Sequence, residues 1–319
     1  MISRKLAVSL ALAALVLAFA LYTSHRAAAR EAAAVLASPP SGQFVLVDGA
    51  RVHARVAGSG PSLILIHGAS GNLNDFASLM PLLTPYYRVI ALDRPGLGHS
   101  DPLASGETSL RAQALHLSRA AALLGAENPL VLGQSYGGAV ALAWAVYGAQ
   151  KPRALVLVSA ASLPWPGKLD IWYRLTNNPA GAALLPPLVT AFMPDASLAD
   201  IVKGVFTPDP MPEGYGSVIG AELTIRRQTL RINAAQVNSL RAELVAMAPL
   251  YPGLTLPVEL IHGTADTIVP LAVHSRPLAA ILPNAHLTVI EGAGHMPHHS
   301  HSGTILDAIR RADTSAALR

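Results

Sequence analysis

The nine residues Leu130-Val131-Leu132-Gly133-Gln134-Ser135-Tyr136-Gly137-Gly138 constrain this chain more than any other stretch. Leu130 to Leu132 is a wholly apolar run, as expected of a strand covered on both faces. The run stops at Gly133 and turns through Ser135. An alanine-rich run from Ala139 to Tyr147 follows and favours helix. A serine on so sharp a strand-to-helix turn is held in a strained conformation, with its hydroxyl clear of the sheet edge. Glycine is needed at 133 and 137 because a side chain at either place crowds the turn. The helix that begins after Ser135 points its positive end at any anion formed there. Gly-x-Ser-x-Gly also arises by chance, so the chain must supply a base, an acid and an oxyanion site elsewhere.

Around this turn, strand and helix signals alternate. Gln43–Val47 and Arg51–Val56 alternate apolar and polar residues and are joined by Asp48-Gly49, a hairpin signal. Strand runs follow at Leu63–Ile66, Tyr87–Leu92, Ala154–Val158, Val258–Ile261 and Leu287–Ile290, the first and third of them reading as buried. Helices are expected near 75–83, 109–124, 272–282 and 304–312. This order predicts an α/β fold: a mostly parallel, doubly wound sheet led by an antiparallel hairpin. Residues 162–250 break the alternation with prolines and helical segments, and read as a helical cap over the sheet's carboxyl edge. The expected organisation is a core over 43–161, the cap over 162–250 and a second core part over 251–319.

The first 26 residues stand apart. Arg4-Lys5 precede an uncharged stretch from Leu6 to Tyr22, long enough as a helix to cross a bilayer. It reads as an uncleaved membrane anchor, with a cleaved secretory signal ending at Ala27-Ala28-Ala29 as the alternative. The flanking charges lean to an inside amino terminus and place the rest of the chain in the periplasm or outside the cell. Residues 27–42 read as a linker whose Ala27–Ala37 part can continue as helix. The net charge of +4, without a Lys/Arg run beyond the N-terminus, argues against a nucleic-acid partner. Cysteine is absent, which excludes a thiolate nucleophile and cysteine–zinc sites.

Four polar stations fall at the carboxyl ends of strands, where open α/β sheets build their sites. These are His67-Gly68-Ala69, Ser135, Asp266 and His295. A serine hydroxyl needs a base, and a histidine base needs an orienting acceptor. Four further motifs, His67-Gly68-Ala69-Ser70-Gly71, Asp93–Ser100, Gly263–Pro270 and Gly292-Ala293-Gly294-His295, accompany the serine turn in order. Together the five resemble the α/β-hydrolase superfamily over about residues 43–160 and 255–312. The resemblance implies Ser135 as nucleophile, His295 as general base and then acid, and Asp266 as its orienter. It also implies an oxyanion hole from the backbone N–H groups of Ala69 and Tyr136. His67, Asp93 and Arg94 are expected to brace loops.

Trp165, Trp172 and Tyr173 are candidates to line an apolar acyl pocket. His298, His299 and His301 follow His295 without a carboxylate at ligand spacing, so no metal is expected, nor any cofactor. His262 is expected to pack beside Asp266, and His99 lies in a loop near the pocket. The expected function is hydrolysis of an ester, less readily an amide, of a small or medium apolar acid through an acyl-Ser135 intermediate. Carbon–carbon bond hydrolases and cofactor-free haloperoxidases also use serine and remain alternatives, as does a tethered ligand-binding pseudoenzyme. Epoxide hydrolases and haloalkane dehalogenases use an aspartate where Ser135 stands, which argues against both.

Overall fold

The computed structural model describes residues 3–318, so Met1 with its amino-terminal charge, Ile2 and Arg319 lie outside the described residues. Eight strands form one sheet: β1 (Gln43–Val47), β2 (Ala50–Ala57), β3 (Ser62–Ile66), β4 (Arg88–Leu92), β5 (Leu130–Gln134), β6 (Ala154–Val158), β7 (Val258–Gly263) and β8 (Ala285–Ile290). Their order is β1-β2-β4-β3-β5-β6-β7-β8. β2 is antiparallel to β1 and β4, and every other pairing is parallel. The hairpin turns on Asp48 and Gly49, both at positive φ, as a two-residue turn matched to strand twist requires.

Every residue of β3, β5, β6 and β7 is buried. Their side chains divide between two layers with a period of two. Ile64, Val131, Leu155 and Leu157 join the helices Leu110–Leu123 and Tyr136–Tyr147 on one face. Leu63, Leu132, Val156 and Val158 join Ile305 and Ile309 of the helix Ser302–Ala317 on the other. β3 sits between β4 and β5, so the connections leaving β3 and β5 diverge and open a crevice at the sheet's carboxyl edge.

Between β6 and β7 the described residues contain helices and no strand. The main ones are Ile171–Thr176, Pro179–Phe192, Asp195–Gly204, Tyr215–Ile219 and Arg227–Met247. Leu198, Phe206, Tyr215, Ile219 and Ile225 form a small core of their own with Met296. Arg227–Met247 is different: its later turns place Val237, Leu240, Leu244 and Met247 in the main core beside the sheet. This long helix ties the insertion to the sheet.

Residues 75–83, expected as one helix, form a 3-10 turn (Leu73–Phe76) and one α turn (Met80–Leu83). Side chains divert the backbone here: Asn72 accepts from the Asn74 N–H at 3.0 Å and Asp93 from the Leu73 N–H at 2.6 Å. The N-terminal helix runs unbroken from Arg4 to Ala37, so the extended connection to β1 is confined to residues 38–42. It is long and apolar enough to cross a membrane.

Candidate active site

Ser135 joins β5 to the helix Tyr136–Tyr147, with φ 52° and ψ −120°. A non-glycine residue in that region stores about 1–3 kcal/mol of strain and needs over-determining surroundings. They are present: the Ser135 N–H donates to the Val158 carbonyl at 2.9 Å, and its carbonyl accepts from the Gly138 and Ala161 N–H groups. The glycines act through close approach, as expected. A Cβ at Gly137 would collide with the Ile66 carbonyl oxygen, and one at Gly133 with the Gly137 carbonyl oxygen.

Asp266 lies in the turn after β7. Its Oδ1 accepts from the N–H groups of Ile268 and Val269, both at 2.9 Å. Its Oδ2 accepts from His295 Nδ1 at 2.8 Å and from His262 Nε2 at 3.1 Å. Burial pushes this carboxyl up, but the hydrogen bonds from His262 and His295 outweigh it and hold Asp266 below the usual carboxylate range. With Asp266 ionised, His295 Nδ1 is the donor and its Nε2 is left as an acceptor. That Nε2 lies 3.4 Å from the Gln134 amide nitrogen, and the Ser135 hydroxyl is not hydrogen-bonded to it here. Ser135 and His295 line the same cavity. His262 is more than packing. Its Nε2 also donates to the Val269 carbonyl at 2.6 Å and its Nδ1 faces the Ser275 hydroxyl at 2.7 Å, so it fixes the turn that carries Asp266.

On the other side of Ser135, Gly68, Ala69 and Ser70 line the cavity. The N–H of Tyr136 is the first of its helix and has no intrahelical acceptor. Neither it nor the Ala69 N–H is engaged by another described residue. His67 is wholly buried and braces this loop: Nδ1 donates to the Gly68 carbonyl and Nε2 accepts from the Arg94 N–H, both at 2.9 Å. Burial, reinforced by Arg94, pushes His67 down to about 4, so it is neutral. Asp93 accepts from His53, Leu73 and His99 and holds the loop after β4. Arg94 is buried without a carboxylate partner among the described residues. It donates to Gln113 and Gln236 at 3.0 Å and to the Gly68 carbonyl at 3.2 Å, and its guanidinium lies 4.1 Å from the Tyr136 ring centroid. His99 turns from the pocket and meets the Ser38 carbonyl.

The cavity has a volume of about 520 Å³. Ser135 and His295 meet mainly apolar side chains there, among them Val189, Met193, Val205 and Ile225. Trp172 and Tyr173 line it, but Trp165 does not. The segment leaving β6 is held on the sheet side, where the N–H groups of Ser162 and Leu163 donate to His274 Nδ1, and Trp165 packs beside that ring.

One cluster escaped the sequence. His298 and His299 do have a carboxylate, Asp75, brought from the turn after β3. Its oxygens accept from His298 Nε2 at 3.1 Å, His299 Nε2 at 3.0 Å and the Tyr215 hydroxyl at 2.6 Å. Burial pushes Asp75 up, and the two histidines overcome it and hold it well below the usual range. These are the described residues whose ligand atoms lie close enough, within 4.8 Å of one another, to hold a metal. Each of the three is already engaged in the hydrogen bonds just given. The separation of 223 residues between Asp75 and His298 left no local pattern to read.

A model of the alpha/beta hydrolase family matches residues 63–308. An uncharacterized protein of Mycobacterium tuberculosis is 31% identical over 294 residues, 86% of this chain and 81% of that protein. The 2-hydroxymuconate semialdehyde hydrolase of a Pseudomonas species is 28% identical over 290 residues, 88% of this chain and 97% of the relative. Among solved structures, an esterase of Exiguobacterium antarcticum superposes with a TM-score of 0.68 at 21% identity, covering 86% of this chain and all of that one. With its serine turn at the end of β5 and a family match over most of its length, this chain belongs to the α/β-hydrolase family.

Proposed function

We propose that the protein is a serine hydrolase that cleaves carboxylic esters through an acyl-Ser135 intermediate. One observation carries this reading: a histidine oriented by an ionised carboxylate at 2.8 Å shares a cavity with a serine on a strained strand-to-helix turn. His295 Nε2 takes the Ser135 proton as Oγ bonds to the ester carbonyl carbon. The carbonyl electron pair moves onto oxygen, where the Ala69 and Tyr136 N–H groups receive it. Loss of one such donor typically costs roughly 10²–10³ in turnover. Collapse expels the alcohol, protonated by His295, and leaves the acyl group on Ser135. Water, deprotonated by His295, then releases the acid by the same steps. Asp266 keeps Nδ1 as a donor throughout, so Nε2 is the nitrogen that takes up and returns the proton.

Trp172 and Tyr173, with the apolar cavity wall, suit an apolar acyl group, and the insertion over 162–250 acts as the cap that sets its length. The N-terminal helix serves as an anchor, with the enzyme on the periplasmic or outer side. A fluorophosphonate probe tests the nucleophile. Wild type should label and Ser135→Ala should not, while p-nitrophenyl esters of graded length report pocket depth. Equal labelling of both proteins would falsify the assignment. The relative named as a 2-hydroxymuconate semialdehyde hydrolase favours one second reading, carbon–carbon bond hydrolysis. Turnover of a vinylogous diketone without ester hydrolysis would decide for it.

A further inference from the structure

Helix Pro179–Phe192 carries no charged side chain. Val189 of this helix and Met193 just after it line the cavity. The outward face carries Leu184, Leu188 and Phe192, spaced by four residues and 65%, 37% and 38% exposed. Single exposed leucines need no explanation, but an aligned stripe does. Its neighbour supplies one. The Phe19 ring of the N-terminal helix stacks on Phe192 with centroids 6.0 Å apart, and Tyr22 lies 6.2 Å from the same ring. Phe19 belongs to the exposed apolar stretch that ends at Tyr22, so Phe192 sits level with the last turn of that stretch.

Beyond it the contacts turn polar. Arg26 donates to the Ala191 carbonyl at 2.6 Å, Arg30 to the Met193 carbonyl and Asp195 at 2.6 Å, and Arg227 pairs with Glu31. These contacts hold the carboxyl end of Pro179–Phe192 against the N-terminal helix, so the outward stripe meets the apolar stretch through Phe192. Arg231 donates to the Ala182 and Ala183 carbonyls at the helix's start, a position suited to lipid phosphate.

We propose that Pro179–Phe192 rests in the bilayer surface beside the N-terminal helix, and that the enzyme takes its ester substrates from the lipid phase. This rests on the anchor and esterase readings above. The bilayer covers the stripe, and Val189, about 100° round the same helix, is cavity wall, so this one helix lies between lipid and the site. An acyl chain moving from bilayer to cavity then avoids water.

The full chain lacks cysteine. Single variants Leu184→Cys, Leu188→Cys, Leu17→Cys in the apolar stretch and Leu123→Cys on the sheet flank each accept one polarity-sensitive fluorophore. In phosphatidylcholine–phosphatidylglycerol vesicles, labels at 17, 184 and 188 should shift to the blue and be quenched by doxyl lipid, and that at 123 should not. Labels at 184 and 188 that match 123 while 17 is quenched would overturn the proposal alone. An unquenched label at 17 would overturn the anchor reading and the proposal with it. Leu188→Glu should slow hydrolysis of a vesicle-borne ester roughly tenfold, because charge is costly in the bilayer, while a soluble p-nitrophenyl ester is hydrolysed as before. Unchanged hydrolysis of both would sink the lipid-phase substrate claim.

Discussion

One oxygen of Asp266 serves two histidines, and this sharing sets what its substitution does. Asp266→Asn keeps an acceptor for the Ile268 and Val269 N–H groups but turns a donor toward His295 Nδ1. The imidazole then loses the partner that selects its tautomer. A fall in kcat of roughly 10³–10⁴ is expected by analogy with other triads, with an unchanged circular dichroism spectrum. A loss under tenfold would show that Asp266 does not orient the base. The acid limb of the rate profile is a second test. Asp266 stays ionised well below the usual carboxylate range, so its own protonation should add nothing to that limb, which should fall with the first power of proton concentration. A limb that falls with the square of proton concentration would mean that a second group titrates. Ser135, Asp266 and His295 were legible because each follows a readable strand in a fixed order. Asp75 was not, since its role comes from partners more than 220 residues away and from the Tyr215 hydroxyl. Trp165 was misread because indole in an insertion signals burial without saying against which layer.

At the scale of elements, the serine turn depends on how tightly β5 and its helix approach β3. A Cβ at Gly137 meets the carbonyl oxygens of Ile66 and His67, and Ile66 is fixed between Leu92 and Gly133 in the sheet. Backbone so held does not yield as a flexible side chain does. Gly137→Ala should therefore cost about 1–3 kcal/mol in urea unfolding, the usual range for overpacking, and slow fluorophosphonate labelling as Ser135 shifts. Stability and labelling equal to wild type would show that the turn has slack. Strands were readable because those covered on both faces admit little but aliphatic residues. The helix near 75–83 was not, because its apolar spacing says nothing of Asn72 and Asp93, which capture the Asn74 and Leu73 N–H groups. Nor did composition separate the helix Arg227–Met247, half of which belongs to the sheet's core, from the insertion before it.

For the molecule as a whole, buried neutral histidines link stability to pH. Burial pushes His67 and His274 each down to about 4, and lowers His298 as well. In the unfolded chain a histidine titrates near about 6.5. Between these values the unfolded state binds protons that the folded state refuses, so stability falls as pH drops from about 6.5 toward 4. At pH 5 the linkage amounts to on the order of 2 kcal/mol for each of His67 and His274. Asp75, Asp93 and Asp266 act in a different window. Their carboxyls are held below the usual range, so their contribution is intact near pH 5 and is lost only below about 4. Urea unfolding at pH 7.5, 6, 5 and 4.5 should therefore show a decline that starts near pH 6.5 and steepens toward 5. Replacing His67 with Gln lowers stability at pH 7.5 by loss of its loop contacts, but it removes one titrating group. The variant's curve should accordingly be flatter between pH 6.5 and 5, by up to one proton. Parallel curves for variant and wild type would show that His67 takes up its proton equally in both states, contrary to its burial between Gly68 and Arg94.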